Sequence, residues 1–219
     1  MQRHLHEELQ ELKQRLLRMG LLVEETIEKA VQALLKRDSV LANQVIAGDR
    51  VINQLEIEID DKGHGLLALG QPMAVDLRVI TSILKINTDL ERMGDHAVNI
   101  AERTLQILKD PPIIADIHLA EMAKATQNMV RGALDSFVAG DVEIARKVLE
   151  SDDQVDTYND ELYSKLEDLM EKDNDSVKSG MNLIIIGHNL ERIADLANNI
   201  AEDVIYMKQG KEVRHHTES

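Results

Sequence analysis

The stretch Leu90 to Glu102, LERMGDHAVNIAE, decides the fold, because a near copy stands one hundred positions later as LERIADLANNIAE, Leu190 to Glu202. Nine of the thirteen positions are identical. They include a polar series, Glu91, Asp95, Asn99 and Glu102, matched by Glu191, Asp195, Asn199 and Glu202. On a helix turning about 100° per residue, offsets of 0, 4, 8 and 11 fall within an arc of roughly 80°. Oxygen-bearing side chains therefore form one strip. Leu90, Met93, Ala97, Ile100 and Ala101 fall on the far side, as do Leu190, Ile193, Ala197, Ile200 and Ala201, which makes that face the apolar one. A middle stripe of Arg92, His96 and Arg103 keeps only its arginine in the second copy, Arg192, with Leu196 and Asp203 replacing the other two.

Composition extends this helical reading to the whole chain. Its 219 residues hold no Trp, one Phe and three Tyr, so burial must rest on Leu, Ile, Val, Ala and Met, a mix that suits helices better than sandwiches. The expected class is all-α. Forty acidic against twenty-five basic residues give a formal charge of −15, which argues against nucleic-acid partners and favours cations. No cysteine is present, so disulfides and thiolate metal sites are excluded, in keeping with a cytoplasmic location. No apolar run approaches the roughly 18 residues of a membrane span, so no membrane insertion is expected.

Outward from the strip, the chain reads as helices separated by short turns. Leu5, Leu9, Leu12, Leu16, Met19, Val23, Ala30 and Leu34 recur in helical steps over residues 3–37. Asp38 and Ser39 open a short helix to Ala47, and Gly48 and Asp49 start another. Gly63, His64 and Gly65 predict a kink or a soft spot, since two interior glycines cost roughly 2 kcal/mol against alanines. Gly70, Gln71 and Pro72 turn the chain into the strip helix, about residues 73–108, which Asp110, Pro111 and Pro112 end. The second half repeats the pattern: a helix to Ala139, Gly140 and Asp141, a short helix, another opened by Asp152, a turn at Asn174 to Ser176, and the second strip helix to about Met207. Asp38, Ala42, Asp49 and Ile52 match Asp141, Ala145, Asp152 and Val155 at a spacing of 103, and the strips match at 100, so three residues must be lost near the turn. A repeat this long predicts two tandem three-helix bundles, residues 1–110 and 113–209, with a flexible tail at 210–219 in which His215 and His216 offer at most a weak metal site.

An acidic stripe on a helix is ordinarily a solvated face. Here it persists through the duplication, keeps an asparagine that is a weak helix former, and sets like charges four apart, where they repel unless something neutralises them. A hard or borderline cation would do so: magnesium, manganese, iron or zinc. One strip cannot enclose an ion, so the neighbouring helix must contribute, and Asp49 with Asn53 and Asp152 with Asp156 share the spacing. Asp49 and Asp152 also stand where an N-cap is expected. Asn53 opposite Asp156 removes a charge, which predicts a weaker first site. The candidate metal ligands are thus Glu91, Asp95, Asn99, Asp49 and Asn53 in the first half, and Glu191, Asp195, Asn199, Asp152 and Asp156 in the second. His96 and His188 have no repeat partners, and a histidine phosphotransfer module built on either, or a metal-free scaffold, is the rival reading. No nucleotide-binding glycine pattern and no Ser/His nucleophile arrangement occurs, so no catalysis is expected.

The chain resembles the PhoU family, carried by QPMAVDLR at Gln71 to Arg78, the two E-R-x-x-D-x-x-x-N strips, and the acidic residues Asp49 and Asp152. The likeness spans nearly the whole chain. It implies two three-helix bundles, multinuclear metal clusters at acidic motif pairs, and no enzymatic activity. It also implies a negative regulator that works with a phosphate ABC transporter and its ATPase subunit and with a sensor histidine kinase. Apolar seam left over on the long helices leaves room for a homodimer.

Overall fold

The computed structural model describes residues 2–70, 72–113 and 117–210. Among the described residues seven α-helices follow in order: α1 Gln2–Lys36, α2 Ser39–Leu69, α3 Ala74–Ile107, α4 Leu119–Ala139, α5 Val142–Leu149, α6 Asp152–Lys172 and α7 Val177–Gln209, with one 3₁₀ turn at Asn174–Ser176. They form two tandem bundles, α1–α3 and α4–α7. The predicted seam of α1 is the buried one: Leu9, Leu12, Leu16, Met19, Val23, Ala30 and Leu34 all face inward, joined by Ile27. The apolar faces of both strip helices are buried as their spacing requires, with Leu90, Met93, Ala97, Leu190, Ile193 and Ala197 fully enclosed. A single apolar core runs through both bundles, and α3 against α7 is its most extensive helix pair.

The repeat is visible in the caps. Asp38 accepts from the backbone N–H of Val40 and Leu41 at 2.9 and 3.0 Å, and Asp141, 103 positions on, accepts from Glu143 and Ile144 at 2.8 and 3.4 Å. The residues just before these caps share a left-handed backbone, Arg37 with φ 54° and Gly140 with φ 59°. Four residues, 70–73, join α2 to α3, whereas Asp173 alone separates α6 from the 3₁₀ turn. That difference is the loss of three residues, at the expected turn.

Two local expectations differ from what is observed. The first half has no separate short helix, because α2 runs unbroken through Gly48 and Asp49. One interior glycine costs about 1 kcal/mol, which the burial of Val45 and Ile52 on the same face outweighs. The second half does break, at Ser151, whose hydroxyl takes up the carbonyl of Lys147 at 2.7 Å. α2 also continues without a break through Gly63–Gly65. A Cβ at Gly63 would stand 2.5 Å from Leu84 Cδ2, so that glycine lets α2 and α3 approach closely. The helix that the sequence places from about Asp116 to Ala139 is α4, Leu119–Ala139, while Asp116 itself and the tail with His215 and His216 lie outside the described residues.

Candidate functional site

Two helix pairs carry the site, α2 on α3 and α6 on α7, each antiparallel. In the first pair Asn87 Nδ2 donates to the carbonyl of Glu56 at 3.0 Å, and Gly94 sits against Ile52 with Asp49 Oδ1 about 4.0 Å from where its Cβ would be. A glycine at 94 thus brings Asp49 onto the strip. Asp49 is interior to α2 and is no N-cap; Asp152 is the first residue of α6 and caps nothing through its side chain. The capping explanation for these two aspartates is removed.

In the first half Asp49 raises the pKa of both strip carboxylates. Glu91 is pushed up by burial first, then by Asp95, Glu56 and Asp49, with Arg92 opposing; Asp95 is pushed up by burial and Asp49, with His96 opposing. Asn53 Nδ2 donates to Asp49 Oδ2 at 2.8 Å, while Asp49 Oδ1 and Asn53 Oδ1 are buried with no hydrogen-bond partner. In the second half Asp152 is raised to about 6 by burial, Asp156 and Asp195, and hydrogen bonding from Asn198 pulls the other way. Asp156 is raised by burial, Glu191 and Asp195, and Asp195 by burial and Glu191 against the pull of Arg192. Asp152 Oδ1 and Asn198 Oδ1 are likewise buried and unpartnered.

Asp49, Asn53, Glu91 and Asp95 are therefore neighbours in one bundle, and Asp152, Asp156, Glu191 and Asp195 in the other. Asn99 is exposed, and nothing draws it to the first group. Asn199 lines a cleft on the α3 side of α7 together with Asp195. Two residues of the same face were not singled out from sequence. Glu56 stands beside Glu91, and Asn159 donates from Nδ2 to Glu191 Oε2 at 3.1 Å. They occupy matching places at the spacing of 103. The charge absent at Asn53 thus reappears at Glu56, and the first site carries as many carboxylates as the second. The repeat spacing pairs them; side-chain identity does not. His188, also unassigned, sits with Nδ1 3.0 Å from Glu191 Oε2.

The donors are all oxygens, some of them buried without a partner, and burial together with neighbouring carboxylates raises the proton affinity of Glu91, Asp95, Asp152, Asp156 and Asp195. That is the donor chemistry a hard cation takes, and a proton is its competitor. Among the described residues, no group of three or more His, Asp or Glu side chains is placed to hold a metal ion.

The PhoU domain model matches residues 16–104 and 119–204, once in each bundle. The chain belongs to the PhoU family. It is 41% identical over 211 residues to a phosphate-specific transport system accessory protein PhoU homolog of Aquifex aeolicus, covering 96% of both chains. The corresponding homolog of Pseudomonas aeruginosa is 40% identical, over 95% of this chain and 86% of the relative. Among solved structures, PhoU from Pseudomonas aeruginosa superposes with a TM-score of 0.91 at 39% identity, covering 94% of this chain and 99% of that one. The phosphate transport system regulatory protein PhoU from Streptococcus pneumoniae gives 0.88 at 36%, covering 95% and 99%. Among the described residues, no helix is long and apolar enough to cross a membrane.

Proposed function

We propose that this PhoU-family chain is a cytoplasmic accessory protein of phosphate transport. It holds divalent or trivalent cations, iron, zinc, manganese or magnesium, at the two acidic sites. As a homodimer it couples the ATPase subunit of a phosphate ABC transporter to a sensor histidine kinase, and so keeps the phosphate-starvation response off. The accessory role follows from relatives of that name at about two-fifths identity over the full chain. The cation reading rests on one observation above all: in both bundles the aspartate of the neighbouring helix, Asp49 or Asp152, keeps a buried oxygen without a hydrogen-bond partner close enough to the strip for its charge and Asp95 or Asp195 to interact.

Asp49, Glu56, Glu91 and Asp95 would hold the first ion or cluster, and Asp152, Asp156, Glu191 and Asp195 the second, with Asn53 and Asn159 orienting Asp49 and Glu191. Such an ion would relieve the repulsion and tie α2 to α3 and α6 to α7. Elemental analysis after mild purification tests the reading. Wild type is expected to retain metal that the double variant Asp95→Ala, Asp195→Ala loses, and equal metal in both defeats it. The adaptor part predicts co-purification with the ATPase subunit or the kinase from cells that express all three; retention of neither rejects that part while leaving the metal result standing.

A further inference from the structure

Antiparallel packing of α3 on α7 places Lys85 Nζ 3.3 Å from Asp203 Oδ1 and His96 Nδ1 2.9 Å from Asn189 Oδ1. Between those two contacts the helices cross at repeat-related positions, which brings Arg92 and Arg192 to one cleft of about 370 Å³. His96, Asp195, Asn198 and Asn199 complete its polar lining. The chain as a whole is strongly acidic, yet here two guanidiniums face one carboxylate. Arg192 NH1 reaches Asp195 Oδ2 at 3.2 Å, and Arg92 comes only within 4.0 Å of Asp89. Both arginine side chains remain more than half exposed, at 56% and 53%, so most of their donor capacity is open to a ligand. Asn189 donates its own Nδ2 to the carbonyl of Ile185, which commits its oxygen to His96 and fixes that side of the wall.

We propose that this cleft binds a tetrahedral oxyanion, inorganic phosphate, clamped between Arg92 and Arg192 with the Asn199 amide beside them. Guanidinium pairs present forked donors that match phosphate oxygens, and two such forks lining one cleft, one from α3 and one from α7, define a place for one ion. Asp195 is the resident competitor, since it occupies an Arg192 donor and adds repulsion. Only the choice of phosphate among oxyanions leans on the accessory role proposed above; the arginine clamp stands on the cleft itself and needs no bound cation.

Calorimetric titration of the full chain in EDTA tests it, with inorganic phosphate, sulfate and AMP as separate probes. Phosphate is expected to bind saturably in the range up to about 1 mM. Arg92→Gln with Arg192→Gln is expected to weaken binding by about tenfold or more, because each loses a charged hydrogen bond. Asp195→Asn is expected to tighten it several-fold, a direction that a merely structural role for these residues does not give. Sulfate binding as tightly as phosphate keeps the oxyanion site and rejects the phosphate assignment; AMP binding in place of the free ion keeps the site and assigns it to a carried phosphoryl group. Absence of saturable binding for all three probes, a double variant that binds as wild type does, or no tightening in Asp195→Asn overturns the proposal.

Discussion

Asn159 donates from Nδ2 to Glu191 Oε2 at 3.1 Å and so joins α6 to the acidic strip of α7. At the matching place in the first bundle stands Glu56, which raises Glu91 through repulsion, and the amide has moved one turn back to Asn53, where it holds Asp49. Charge and amide have exchanged positions. Glu56→Gln is therefore expected to lower metal retention at the first site as much as Asp156→Asn lowers it at the second. The paired exchange Asn53→Asp with Glu56→Asn should restore it. Elemental analysis reads all three; a Glu56→Gln protein with wild-type metal content removes Glu56 from the site.

The pH dependence of the metal-free protein follows from Asp152, whose carboxyl is raised from 3.8 to about 6. A raised carboxyl binds its proton more tightly folded than unfolded, so its stabilising contribution is complete below the unfolded value and is lost as pH rises through about 6. Asp152→Asn has no such proton to lose. In EDTA the variant is expected to melt above wild type at about pH 7.5, with the gap narrowing toward about pH 5. Differential scanning calorimetry at the two pH values measures the gap, and a constant difference denies Asp152 its raised pKa.

Periodicity exposed whatever depended on one helix at a time. The seam of α1, the buried faces around Leu90 and Leu190, and the paired caps Asp38 and Asp141 all follow from spacing that a single element imposes. Gly48 misled because a glycine's propensity is a weak local term, and the packing of Val45 and Ile52 carries α2 through it. Gly63 misled for a different reason: its role lies in Leu84, twenty-one positions away on another helix. The Glu56 and Asn159 exchange leaves no trace in the identity between repeats, because an exchange erases identity while conserving charge. The cleft of Arg92 and Arg192 depends on where α3 crosses α7, which no pattern along one helix encodes.

Gly63 and Gly65 separate close packing from helix propensity. At Gly65 a Cβ meets nothing within 4 Å, so Gly65→Ala should stabilise the protein by about 0.5–1 kcal/mol through propensity alone. At Gly63 the same gain is opposed by Leu84 Cδ2 at 2.5 Å and Cγ at 3.1 Å, and overpacking of that kind costs about 1–3 kcal/mol. Chemical denaturation should place Gly65→Ala above wild type and Gly63→Ala at or below it. A Gly63→Ala protein as stable as Gly65→Ala shows that α2 and α3 have slack at this point.

Arg37 tests how the first bundle closes. Its backbone is left-handed, φ 54°, where the equivalent place in the second bundle holds Gly140. The guanidinium compensates by donating from one nitrogen to the carbonyls of Ile107 at 3.3 Å and Asp110 at 2.8 Å, which satisfies the end of α3 just before Pro111. Arg37→Ala loses those bonds and keeps the left-handed conformation, which disfavours a Cβ by roughly 1–2 kcal/mol. Arg37→Gly loses the same bonds and sheds that strain. Both variants should fall below wild type in denaturant, with glycine about 1 kcal/mol more stable than alanine. Equal losses would place the whole effect in the hydrogen bonds to α3, and a glycine variant above wild type would mean that those bonds contribute less than the strain they accompany.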